Sequence, residues 1–165
     1  MLKQILPEQF GKNVFDAIGK QKMLITAKKQ DGSYNTMTAS WGGMGVLWNK
    51  NVFMCFIRPQ RYTNEFAEQS DEITLCWLED GFKDAYKICG SKSGRDCDKT
   101  ALAGLTPVID GDFVYFEQAE AVLCGKKLYV NKIKESGFIG LDPALFYKDD
   151  YHIVYIYEIK KVLVK

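Results

Sequence analysis

The chain has 165 residues, 47% of them hydrophobic and 26% charged, which suffices for one domain with a substantial core and is too short for two full ones. Lysine and arginine number 22 against 21 aspartates and glutamates, so no global field draws the protein to nucleic acid or an anionic membrane, and any bound anion must be met by local charges. Five scattered cysteines, odd in number and without a C-x-x-C pair, indicate neither a disulfide framework nor a metal knuckle and fit a reducing cytosol. Met1 to Pro7 lacks the continuous apolar core of a signal peptide, and no later apolar run approaches the ~20 residues of a membrane span. The expectation is a cytoplasmic protein without a membrane anchor.

In chain order, Phe10, Val14, Phe15 and Ile18 fall at helical spacings and predict a short amphipathic helix or helical turn within Glu8 to Lys22, ended by Gly19. Met23 to Gln30 and Tyr34 to Trp41 read as strands joined through the turn signal Asp31-Gly32-Ser33, and they should pair antiparallel. The three glycines between Gly42 and Lys50 predict a loop. Val52 to Ile57 is too continuously apolar for a half-exposed strand and reads as buried on both faces. A short helix is expected from about Thr63, where free backbone N–H groups suit an anion. Ile73 to Leu78 is another strand, Phe82 to Cys89 a helix with Phe82, Ala85, Tyr86 and Cys89 on one side, and Asp98 to Ala103 a short helix. Thr106 to Ile109 and Phe113 to Phe116 flank a turn at Asp110-Gly111-Asp112. Ala119 to Cys124 and Lys127 to Ile133 continue the strand pattern, broken at Gly125. Asp142-Pro143 opens a short helical segment, and a long strand runs from Tyr151 to Val164. Many short strands with few helices predict a mainly β protein, an antiparallel barrel with helical excursions in a single domain over residues 1–165.

Four blocks stand out: Asn35-Thr36-Met37-Thr38-Ala39-Ser40-Trp41, Arg58-Pro59-Gln60-Arg61-Tyr62-Thr63, Cys89-Gly90-Ser91-Lys92-Ser93-Gly94-Arg95-Asp96, and Tyr151-His152-Ile153-Val154-Tyr155-Ile156. Taken bare, each has an ordinary reading: a polar-faced strand with Trp41 in the core, solvated arginines at a strand end, a polar surface turn without P-loop spacing, and a core histidine. In this order and at these separations they resemble the flavin reductase-like family of FMN-binding split-barrel proteins, flavoredoxin-type members included. The resemblance spans most of the chain. It implies the split-barrel topology, non-covalent FMN, and a homodimer with the flavin site at or near the subunit interface.

Carried onto this sequence, the resemblance places Asn35, Met37, Thr38, Ala39 and Ser40 along the ring edge, where backbone N–H groups and hydroxyls would serve its carbonyls and nitrogens, with Trp41 covering the ring. Arg61 and Thr63, and with them Arg58, would meet the phosphate, since a guanidinium fork matches phosphate oxygens. Lys92, beside Ser91, would lie near the flavin as a cation favouring the anionic reduced ring. Arg95 and Asp96 read as local structural partners. His152, the sole histidine, cannot belong to a His-based metal cluster, and no metal site is expected; it is a candidate catalytic residue that orients the nicotinamide or the ring. Cys55, Cys76 and Cys124 read as small buried hydrophobes, while Lys92 and Arg95 could activate Cys89. Tyr157 departs from the family, which often has glycine there, and puts nicotinamide access in question.

The function so implied is an NAD(P)H-dependent flavin reductase that passes electrons from a reduced nicotinamide through FMN to free flavin, a partner protein or another small-molecule acceptor. With no glycine fingerprint of a dinucleotide-binding unit in view, NAD(P)H would bind only transiently against the flavin. An FMN-containing electron carrier without nicotinamide activity, and a flavin-free binding module on the same barrel, are the alternatives.

Overall fold

A computed structural model describes all 165 residues. It begins with β1 (Lys3–Ile5), a 3-10 turn at Pro7–Gln9 and a wide π-type helical turn at Asp16–Gln21. The helical turn expected within this stretch is present, over residues 14–21, but the helix does not reach back to Phe10. The physical reason is that its apolar residues do not share one face: Phe10 packs on Trp77 with ring centroids 5.5 Å apart, Ala17 and Ile18 are buried, and Phe15 is 87% exposed. Gly19 lies inside the second turn, which ends at Lys22 in the left-handed region at φ 70°.

β2 (Met23–Lys28) and β3 (Tyr34–Ala39) form the expected antiparallel hairpin. The Asp31 carboxylate accepts from the Ser33 N–H at 2.8 Å and Gly32 takes φ 86°, an Asx-type turn. The glycine-rich stretch after Trp41 is not a loop but a strand, β4 (Gly42–Leu47), hairpinned onto β5 (Lys50–Ile57). Its turn residues, Trp48 and Asn49, both lie at positive φ, 53° and 55°, as a two-residue type I′ connection demands. Glycine at position 42 is a packing requirement: a Cβ there would stand 2.8 Å from the Met54 carbonyl oxygen. In β5 one face is fully buried through Phe53, Cys55 and Ile57, and the other, Met54 and Phe56, is half-buried.

The chain continues through α1 (Tyr62–Gln69), β6 (Glu72–Leu78), α2 (Asp84–Ser91), α3 (Lys99–Leu102), β7 (Pro107–Asp110), β8 (Phe113–Phe116), β9 (Ala119–Lys132) and β10 (Ile153–Val164). Asp98 caps α3, accepting from the N–H groups of Thr100 and Ala101. The expected break at Gly125 is absent, and β9 runs straight through it.

The sheet is antiparallel throughout, in the order β3-β2-β6-β9-β10-β5-β4, with β1 beside β10 and β7-β8 as a separate ribbon. Its two outermost strands, β3 and β4, are consecutive in sequence and joined only by Ser40 and Trp41. Two residues cannot cross the breadth of a flat seven-strand sheet, so the sheet curls until its edges meet. The barrel is thus closed by a chain connection and not by a ladder of hydrogen bonds, which makes it a split barrel.

Inside lies a core that includes Met23, Ile25, Phe53, Ile57, Trp77, Tyr155 and Tyr157, and a second cluster packs α2 and β8 against the outside of the sheet. Tyr157 resolves the concern raised by the missing family glycine. It is fully buried, stacks on Phe53 at 5.3 Å and Tyr155 at 6.1 Å, and points into the barrel, so it cannot narrow a surface pocket. Gly125 makes the room: a Cβ there would sit 2.5 Å from the Phe53 ring and 2.8 Å from Tyr157 Cβ.

Candidate functional site

The seam where the edges meet is also where the sequence blocks converge. Gly42 opposes Cys55 and Ile153 opposes Ile57, so Trp41, Arg58 and His152 all fall at one end of the barrel. There a cavity of about 200 Å³ is lined by Met37, Thr38, Ala39, Ser40 and Trp41 along one side and by Phe56, Arg58, Arg61 and His152 along the other. β3 is an edge strand paired only with β2, so alternate N–H groups along it have no ladder partner and are free for a ligand.

The hydroxyls divide. Thr38 Oγ1 donates to the Tyr86 carbonyl at 2.6 Å, so its hydrogen is already committed to α2 and it cannot serve as the expected donor to a ring. Ser40 makes no hydrogen bond with the protein and keeps its donor. Trp41 is 44% exposed, with its ring 5.1 Å from His152. His152 is buried, and its Nδ1 lies 3.0 Å from the Tyr147 hydroxyl. Burial, reinforced by the Arg58 cation, pushes the imidazole pKa down to about 4, so the ring is neutral at physiological pH.

A second cavity of about 190 Å³ adjoins through Arg61, which lines both. Thr63, Ser91, Lys92 and Lys99 belong to it. Arg61 is bound only by backbone carbonyls, Gly90 at 3.2 Å and Cys89 at 3.5 Å; no carboxylate pairs with it, and burial followed by the nearby Arg58 lowers its pKa. Lys99, which lies in no recognisable motif, is 4% exposed and likewise has carbonyl partners alone, Cys89 at 3.2 Å and Lys92 at 3.3 Å. These carbonyls end α2, the negative pole of the helix. Lys92 Nζ is unpaired. Two half-buried or buried cations without counter-ions, above the free N–H groups at the start of α1, are placed to meet an anion.

Other expected residues sit differently. Asn35 is outside the first cavity: its Nδ2 donates to Thr63 Oγ1 at 2.7 Å, and it faces a third, polar cavity with Tyr34, Tyr62 and Gly94. Gly94 allows the loop after α2 to settle there, since a Cβ would come within 2.1 Å of Asn35 Oδ1. Thr63 is buried beneath the loop with that bond as its anchor. The Ser91 hydroxyl is turned back to the Lys87 carbonyl at 2.8 Å. Arg58 does not line that second cavity; it is ion-paired with Asp150 and donates to the Phe146 carbonyl at 2.9 Å. Arg95 pairs with Glu65 and covers the Tyr62 ring, a local structural role. The Cys89 thiol is buried and pushed up to about 11 by that burial, which works against activation of the thiol. Cys55, Cys76 and Cys124 are buried as expected, and no group of His, Cys, Asp or Glu side chains could hold a metal ion. No helix is long and apolar enough to cross a membrane.

Solved structures share this architecture. An FMN-binding domain of a flavin reductase-like enzyme from Shewanella baltica OS155 superposes with TM-score 0.72 at 18% identity, covering 99% of this chain and 77% of that one. Flavoredoxin of Desulfovibrio vulgaris (Miyazaki F) gives 0.69 at 20% identity over 98% and 77%, and the styrene monooxygenase flavin reductase of Pseudomonas putida S12 gives 0.63 at 12% over 86% and 77%. At such identities the likeness is one of fold. No curated protein matches the chain. A model of the flavin reductase like domain matches residues 15–154, most of the sequence, and the chain belongs to that family.

Proposed function

We propose that the protein binds FMN in the two adjoining cavities and works as a cytoplasmic NAD(P)H-dependent flavin reductase, handing electrons to free flavin, a partner protein or another small acceptor. The observation that carries this reading is the continuity at Arg61: an aromatic-walled slot with free strand N–H groups on one side opens directly onto a cluster of unpaired cations on the other. A planar ring with an anionic tail has that same division, and the two cavities together reach the lower end of cofactor-pocket volumes.

Within this reading Arg61, Lys99 and Lys92 neutralise the phosphate, and the guanidinium of Arg61 also fixes the direction of the tail. The edge N–H groups of β3 and the Ser40 hydroxyl meet the polar rim of the ring, while Trp41 shields its face. FMN, when bound, supplies the two-electron acceptor. His152 acts as a neutral group: with Tyr147 donating to Nδ1, its Nε2–H is the donor offered to a ring or carboxamide oxygen. The exposed Val46, Trp48 and Tyr129 near the tip of the second hairpin, with Trp48 and Tyr129 in ring contact at 6.1 Å, supply an apolar surface for a second copy of the chain.

Because Tyr157 lies inside the barrel, it does not restrict nicotinamide access and lends no support to an electron carrier without nicotinamide activity. The test is a visible spectrum of the purified protein together with the flavin-to-protein ratio after gel filtration, followed by anaerobic NADH or NADPH. Bleaching of a bound flavin by either nucleotide supports the reductase. A yellow protein that neither nucleotide bleaches overturns it in favour of the carrier, and a colourless protein that takes up no added FMN overturns the flavin reading itself.

A further inference from the structure

Between β9 and β10 the chain makes an excursion, residues 134–150, that joins no strand and exposes Ile139 and Leu145. Every hydrogen bond tying it to the rest of the protein ends on Arg58, Gln60 or His152. The Asp150 carboxylate accepts from Arg58 Nη1 and, at 2.9 Å, from Gln60 Nε2. The Phe146 carbonyl accepts from Arg58 Nη2 at 2.9 Å, and the guanidinium covers the Tyr147 ring at 5.2 Å. One arginine thus grips the excursion at three residues, Phe146, Tyr147 and Asp150. Two of the residues it holds reach the ring end of the cleft: Phe146 stands edge-on to Trp41 at 6.1 Å, and Tyr147 meets His152.

We propose that Arg58 is a positioning residue, a latch that holds the excursion over the cleft and so makes Phe146 and Tyr147 the side chains that decide which planar ring is admitted there. The proposal rests on the flavin reading for its ligand but not for its mechanics. The charge of Arg58 is consumed by Asp150, whose carboxyl is held well below the usual carboxylate range by the Lys148 N–H and then by Arg58 and Gln60. An incoming phosphate at Arg58 would face that carboxylate, whereas at Arg61 it would face none. The excursion buries little apolar surface of its own and is internally bonded only through short turns, so its local opening free energy depends on these few anchors. Arginine is required because the fork, a flat face and two N–H directions are used at once; lysine offers a single point charge.

The experiment uses the full chain as wild type, Arg58→Lys, Arg58→Gln and Tyr147→Phe. Hydrogen exchange of the flavin-free protein is read first: both Arg58 variants should raise exchange at the amides of residues 144–150 at least tenfold, leaving β2, β6 and β9 unchanged. Because His152 is the sole histidine, its Nδ1 resonance is unambiguous, and the shift change in Arg58→Lys should reproduce that of Tyr147→Phe. FMN and riboflavin are then titrated by flavin fluorescence. Loss of the latch should weaken both by the same factor of roughly tenfold, so that the FMN-to-riboflavin preference is kept. Unchanged exchange at residues 144–150 overturns the latch, and a selective loss of FMN in Arg58→Lys assigns Arg58 to the phosphate instead. If the wild type binds neither flavin, the flavin reading fails on its own and the exchange and resonance results alone decide the latch.

Discussion

Two arginines from one six-residue block, Arg58 and Arg61, line the same cleft and have opposite surroundings. Arg58 follows β5 and meets a carboxylate, a carbonyl and a tyrosine ring from the excursion. Arg61 caps α1 and meets only the carbonyls of Cys89 and Gly90. A paired cation holds the protein together, whereas an unpaired half-buried cation is costly until an anion meets it, which is why the proposed function gives Arg61 the phosphate. Below both lies the barrel interior, where neither charge nor space is left over.

The largest expected effect comes from removing the unpaired charge. Arg61→Gln should lower FMN affinity by about 100-fold, on the scale of one to two lost charge-assisted hydrogen bonds, with riboflavin affinity nearly unchanged; fluorescence titration of both ligands reads the difference. Equal loss for the two flavins would erase the contrast between the arginines.

Next comes the barrel core. Gly125→Ala forces a methyl against the Phe53 ring and Tyr157, and overpacking of this kind costs about 1–3 kcal/mol. A urea melt should show a lower midpoint, and an unaltered midpoint would mean that the aromatic stack has slack the structure does not show.

The third test uses pH. The pKa of His152 is depressed in the fold, from an ordinary 6.5 to about 4, so between those values the unfolded chain binds more protons than the folded one. Its contribution to stability is complete above about 6.5 and is lost as pH falls toward 4. His152→Gln should flatten the stability profile in that window, and a profile that stays as steep places the titration elsewhere.

Smallest is Tyr157→Phe. The Tyr157 hydroxyl is buried without a hydrogen-bond partner, so its removal should stabilise the protein by about 1 kcal/mol. Thermal unfolding reads this, and destabilisation would reveal a partner for the phenol.

The comparison also shows how unevenly the sequence could be read. Arg58 and Arg61 share a motif, yet nothing in it tells that Asp150, some ninety residues on, neutralises one and not the other. Thr38 was legible as a hydroxyl beside the cleft, but its commitment to the Tyr86 carbonyl depends on where α2 lands. Lys99 carries no motif at all; it joined the other cations only when α3 folded back on the end of α2. Glycine was the residue most easily misread. Gly42 and Gly125 looked like punctuation, and both instead sit inside strands where a neighbouring carbonyl or ring leaves no room for a side chain.

What the sequence determined by itself was local: the Asp31-Gly32-Ser33 turn, the apolar run of β5, the helical spacing of α2 and the short helix after Asp98 each follow from backbone preferences within a few residues. The tertiary structure alone decided closure at Ser40 and Trp41, the inward turn of Tyr157 and the division of labour between the arginines. Those outcomes depend on which distant groups desolvate or neutralise one another, and such pairing is set by packing across the barrel and not by spacing along the chain.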